Sequence, residues 1–333
     1  MRRVSSAIAL LLFAASLRAS CGSSSCPIDL NALNAPVTGQ IGFDLSFQYI
    51  NQNRPRIGTH SAFVGEIPTD HDEVKTTNRI ATALLTYAAT NNLQLTLAVP
   101  WVSRSHLHFT AIDGESTVNG SFPESWKFDG VGDIVLQSRY RFVANSRATS
   151  GGLWLITGVK LPTGSHDKRN ALGDIAEITL QPGSGTTDGI LGLSWQSGIS
   201  RPSGLSGPLG HYAVIPFFVS ATYQARAGDV DGYRLGNELQ VSSGTAIPIS
   251  DSVVALLQLN GRVREKDRIV SGPPEEDTDF TGGKYLYASP GVRFDVRGVG
   301  VYAIVQLPLY QNVNRLQLTS RSNWIVGLQH RFH

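Results

Sequence analysis

Apolar and polar residues alternate along most of this chain with a period of two. In the first such segment Ile41, Phe43, Leu45, Phe47 and Tyr49 share one face, and Gln40, Gly42, Asp44, Ser46 and Gln48 share the other. This is the signature of a strand with one apolar and one polar side. The pattern recurs at Leu93–Trp101, at Ile134–Phe142 and at Leu153–Leu161. It returns at Leu191–Trp195, Val253–Val263, Leu286–Val296 and Trp324–Phe332. Less regular segments near 77–88, 212–224, 235–247 and 300–311 bring the predicted strands to twelve. In 212–224 both faces are largely apolar, so its outward side stays open. Pro216 and Pro308 lack an N–H and mark an edge, a bulge or a strand end.

The segments run to roughly 9–15 residues, longer than most soluble strands and sufficient to cross a bilayer at a tilt. Connections at 51–76, 104–127 and 162–185 are long, whereas those near 89–92, 145–150, 248–251 and 297–300 are short. An even strand number with long loops at one end and short turns at the other is the plan of a single-chain outer-membrane barrel. A closed sheet satisfies every backbone N–H and C=O in hydrocarbon, and its apolar face meets lipid. Tyr49, Trp101, Tyr140, Phe142, Trp195, Trp324 and Phe332 sit towards segment ends, as interfacial aromatic girdles do. The expectation is an all-β, closed antiparallel transmembrane barrel of about twelve strands over 39–333. Past the leader, no apolar run is long enough for a membrane helix.

Composition agrees. Only 16% of the 333 residues are charged, against about 25% in a typical soluble chain. Arg2, Arg3 and Arg18 belong to a leader whose apolar run, Ala7–Leu17, reads as a secretory signal peptide over 1–20. Without those three the chain has 25 basic and 26 acidic residues, which is no footprint for nucleic acid. Residues 21–38 read as an N-terminal periplasmic segment holding both cysteines. Cys21 and Cys26 suit a local disulfide in an oxidising compartment, with a metal-holding thiol pair or a lipidated Cys21 as alternatives.

Three strings near the middle carry a family likeness. Phe128–Phe142 contains Gly130-Val-Gly-Asp133 followed by Tyr140. Gly158–Gly164 reads Gly-Val-Lys-Leu-Pro-Thr-Gly, and Leu180-Gln-Pro-Gly-Ser-Gly185 precedes Asp188. Over about 125–200 the chain resembles an outer-membrane β-barrel family named for the meta-pathway of phenol degradation and described as transporters. The resemblance implies a barrel of about twelve strands with a transport role. As chemistry, the glycine strings lack the remaining glycine or the lysine of nucleotide loops. They suit turns and close backbone approach, with Asp133 or Asp188 accepting backbone hydrogen bonds.

The inward polar faces supply the other candidates. Arg139, Arg141, Arg262, Arg264, Arg293, Arg297 and Arg331 share the expected lumen with Asp44, Asp133, Glu238 and Asp295. Ion-pair ladders would offset the cost of enclosing these charges, and any arginine excess at a constriction would favour anions. Candidate metal ligands are Cys21, Cys26, His71 and Asp72, while His106 and His108 share a face as interfacial polar residues or half a metal site. No nucleophile–base pair or paired-carboxylate site is legible, so neither an enzyme nor a cofactor is expected. The expected partners are outer-membrane lipid and a small-molecule solute, with a periplasmic partner as an option and the oligomeric state open. The reading is an outer-membrane channel for passive uptake, with aromatic or hydrophobic compounds or small anions as the solute classes. The alternative is a non-transporting barrel that scaffolds a partner or holds a metal through the Cys21/Cys26 segment.

Overall fold

A computed structural model describes residues 25–29, 33, 36–67, 71–111, 121–144, 151–171, 173–200, 214–272 and 276–332. The strands are β1 Ile41–Gly58, β2 His60–Ser61, β3 His71–Thr90, β4 Leu93–Ala111, β5 Ser121–Val131, β6 Ile134–Ala144 and β7 Gly152–Leu161. They continue as β8 Asp188–Ser200, β9 Val214–Arg226, β10 Tyr233–Arg234, β11 Glu238–Ser250, β12 Val253–Arg264, β13 Arg268–Ile269, β14 Gly283–Val296 and β15 Val299–Phe332. Each long strand pairs antiparallel with its neighbours, and β15 closes the sheet on β1 from Ile41↔Phe332 onward.

Two features bring the count of passes around the wall to twelve. β5 and β6 form one pass, because both pair with β4, β5 through Trp101–Ala111 and β6 through Leu93–Ala98. β15 makes two passes: Val299–Val313 pairs with β14 and Val313–Phe332 with β1. It folds back near Arg315, whose φ is 52°, and this brings Asn323 within 3.3 Å of Gln306. The stretch between the predicted segments 300–311 and 324–332 is therefore strand on both sides of a turn.

The apolar rows face outward. Leu95, Leu193, Leu257 and Val326 are each more than 40% exposed, a large outlay of apolar surface unless lipid covers it. The ambiguous segment near 212–224 is resolved in β9, where Val219 and Tyr223 point out and Phe218, Ser220 and Thr222 point in. Pro308 lies beside a register shift at Leu286/Tyr287, as its missing N–H requires.

Above the belt the alternation reverses in β5. Trp126 and Phe128 are buried while Lys127 and Asp129 are exposed, so the apolar face turns inward beyond Val131. β4 and β5 thus continue past the hydrocarbon into water. This corrects the loop assignments at 51–76 and 104–127: β1 continues to Gly58, β3 begins at His71, and β4 and β5 occupy much of 104–127. Sheet pairing extends where the lipid-facing pattern has ended.

Candidate functional site

The interior begins with the chain's own N-terminal segment. Arg262 donates to the Ser25 carbonyl at 2.8 Å and Gln306 to the Cys26 carbonyl at 2.6 Å. Asn260 reaches the Pro27 carbonyl and Gln258 the Asp29 carbonyl. All four donors project from the inner face of β12 or β15. Ile28 packs on an inward apolar patch of Val254, Leu256, Tyr302, Ile304 and Ile325. Residues 25–29, part of the segment read as periplasmic, therefore lie within the lumen. Their backbone carbonyls replace water at a polar wall. Cys26 is buried there; its predicted disulfide with Cys21 and the leader 1–20 fall outside the described residues.

Beside this segment lies a cavity of about 280 Å³. Asp44, Gln48, Thr82, Thr96, Gln137 and Arg139 contribute polar groups to it, and Ile28, Leu84, Ile156 and Ile325 contribute apolar ones. Tyr302 donates to Asp44 at 3.0 Å. Arg139 lies 5.6 Å over the ring of the buried Trp154, and its Nη1 stands 3.9 Å from the Asp29 carboxylate.

Toward the long-loop end, the three glycine-bearing strings converge on one aspartate. Asp133 accepts from Lys160 Nζ at 2.8 Å, from the Gly164 N–H at 3.0 Å and from the Ser184 N–H at 2.9 Å. Lys160 also lies 3.0 Å from Asp188, which pairs with Arg226. The glycines are needed for contact: a Cβ on Gly164 would lie 2.7 Å from Gly183 Cα and 2.8 Å from the Gly132 carbonyl carbon. The strings are thus a knot that fixes both ends of the 162–187 loop to the wall. That loop packs Ala176 and Leu180 on Trp126 and Phe128, and Arg104 donates to its Thr179 carbonyl at 2.9 Å.

A chain of side chains lines the upper wall. Thr76 Oγ1 meets His106 Nδ1 at 2.7 Å, His106 Nε2 meets His108 Nδ1 at 3.2 Å, and His108 Nε2 meets Glu124 at 3.0 Å. One proton arrangement satisfies all three contacts with both rings neutral: each group donates to the next, and Glu124 accepts last. Burial lowers the pKa of His108, which lies above the belt, against the opposing pull of Glu124.

The predicted lumen charges separate by position. Arg262 pairs with Glu238 at 2.7 Å, a diagonal contact across adjacent strands, and Arg264 pairs with Asp267 at 2.8 Å. Arg141 binds Asn92 at the short-turn end, where Arg293 also pairs with Asp295 at 3.1 Å and Arg331 is exposed. Arg297 is not a lumen residue, because it sits exposed in the β14–β15 turn with φ of 50°. Asp133 serves the loop knot, and Asp44 and Arg139 line the cavity. Of the metal candidates, Asp72 is buried, the His71 side chain and Cys21 lie outside what is described, and no cluster of three ligating side chains occurs among the described residues. Sequence reasoning missed Lys160, Arg226 and Arg104 as organising charges, and it missed the inward apolar patch under Ile28. Lys160 and Asp188 stood inside the quoted motifs; Arg104 was hidden in a presumed loop.

By sequence, no protein-family profile and no curated protein matches the chain. By structure, it is similar to an outer membrane channel from Pseudomonas putida F1. The TM-score is 0.58 at 13% identity, and the match covers 92% of this chain and 100% of that one. The translocator domain of the autotransporter NalP from Neisseria meningitidis aligns with TM-score 0.44 at 13% identity over 91% of both chains. A FadL homologue from Pseudomonas aeruginosa aligns at 0.40 and 10% identity over 93% and 95%. At 13% identity the first of these likenesses is one of fold.

Proposed function

We propose that the chain is an outer-membrane channel that admits small molecules by passive diffusion through the barrel lumen. The observation that carries this reading is the 280 Å³ cavity within the wall beside the N-terminal segment, lined by polar groups interspersed with a few aliphatic ones. A barrel built only to scaffold a partner has no need of such a mixed interior. The P. putida protein that shares the fold is described as an outer membrane channel. The motif likeness over 125–200 adds the phenol-degradation transporter family as the finer assignment. Outer-membrane lipid covers the exposed apolar rows, an exported leader delivers the chain, and no cofactor or catalytic step is required.

The alternative, a barrel that scaffolds a partner or holds a metal through the Cys21/Cys26 segment, is less favoured because residues 25–29 lie within the lumen with Cys26 buried. The test is liposome swelling with purified protein and uncharged solutes of graded size. The channel reading expects swelling that falls steeply with solute size. Liposomes that respond like protein-free controls to every solute would overturn it.

A further inference from the structure

The enclosed cations of the wall are not equally provided for. Lys160, Arg226, Arg262 and Arg264 each have a carboxylate from the wall or from a loop at its rim. Arg139, only 5% exposed, has its carboxylate from Asp29 of the N-terminal segment, at 3.9 Å and beyond hydrogen-bond range. Among the described residues its Nε and Nη2 have no hydrogen-bond partner, and it is the one arginine with two such nitrogens. Nε and one terminal nitrogen form the edge of a guanidinium that binds a carboxylate in bidentate fashion. Trp154 stacks near the same guanidinium, and the cavity beside it offers Ile28, Leu84, Ile156 and Ile325 as apolar contacts.

We propose that Arg139 and this cavity form a binding subsite for small carboxylates with an apolar body, and that Asp29, which faces Nη1, is a built-in competitor for the same guanidinium charge. The proposal deepens the channel reading and rests on it. Four backbone carbonyls hold the segment on the opposite wall, so Asp29 can yield to a solute carboxylate without release of the whole segment. The incoming carboxylate then supplies the close hydrogen bonds that Asp29 does not, while its apolar body meets the aliphatic side chains among the cavity lining.

The experiment is isothermal titration of the full chain in detergent with hexanoate and with hexanamide, its uncharged counterpart, alongside swelling of liposomes in both solutes. Asp29→Asn, which lies off the barrel wall, is expected to tighten hexanoate binding by about tenfold, the scale of one lost competing contact, and to leave hexanamide unchanged. Arg139→Lys keeps the charge and loses the fork, and is expected to weaken hexanoate selectively. Equal affinity for the two solutes, an Asp29→Asn protein that binds hexanoate as the parent does, or equal tightening for both would overturn the subsite. Permeation without these shifts removes the subsite and leaves the channel; the shifts without any permeation remove the channel and leave the subsite.

Discussion

Asp133, at the β5–β6 junction, and Lys160 of β7 meet at 2.8 Å, and the same carboxylate receives the N–H groups of Gly164 and Ser184 from the two ends of one loop. A residue at the β5–β6 junction therefore decides where the 162–187 loop lies in the lumen. Removing the carboxylate leaves buried donors unpaired. Asp133→Ala is expected to lower stability by roughly 3 kcal/mol and to make loop residues 162–187 cleavable by protease in the folded barrel. Heat-modifiability on gels and limited proteolysis measure the two effects separately.

Gly164→Ala tests the contact itself. The added methyl group has to displace backbone on both sides, since Gly183 Cα and the Gly132 carbonyl carbon stand under 3 Å from its position. Overpacking of this kind costs roughly 1–3 kcal/mol. The expected outcome is the same loop cleavage as in Asp133→Ala with all charges retained, which would distinguish close packing from ion pairing as the cause.

The lipid-facing row predicts an asymmetry between neighbouring residues of β12. Leu257→Arg places a charge in hydrocarbon near the middle of the strand and is expected to cost roughly 2–4 kcal/mol, with loss of folded barrel in urea titrations into lipid vesicles. Its neighbour Gln258 points into the lumen, so Gln258→Arg is expected to fold nearly as the parent does.

The histidine chain predicts a pH response at the long-loop end. His108 is held below the ordinary 6.5 by burial, so the folded state resists a proton that the unfolded chain accepts. The corresponding stability is complete above 6.5 and is lost as pH falls through the lower folded value. Asn170 of the loop donates to Glu124, the last member of the chain, so the loop feels the change. Amide exchange in 162–187 is expected to quicken at pH 5 relative to pH 7.5, and His108→Gln is expected to flatten that difference.

The barrel was legible in the sequence because lipid on one side and a polar lumen on the other impose a strict period of two. Legibility ended where that contrast ended. Around Arg104, His106 and His108 the inward face is polar and Lys127 and Asp129 make the outward face polar, so these strand extensions read as loop. The seat of residues 25–29 was not specified by the pattern, because main-chain carbonyls make four of its hydrogen bonds and any sequence could supply those, with Ile28 and Asp29 adding side-chain contacts. The motif glycines and Asp133 did announce close backbone approach, but their meeting across 31 and 51 residues of chain is a tertiary fact. Arg139 appeared as one of seven candidate arginines; only the pairing of Arg262 and Arg264 elsewhere set it apart.

The most direct measurement of the central claim is the single-channel current of the full chain in a planar bilayer, compared with Thr222→Trp, which fills the cavity from β9. A lumen that conducts past the N-terminal segment predicts discrete current steps in the parent and steps reduced to about half or less in the variant, following the narrowed cross-section. A parent that inserts yet carries no current, or a variant whose steps match the parent's, would contradict it.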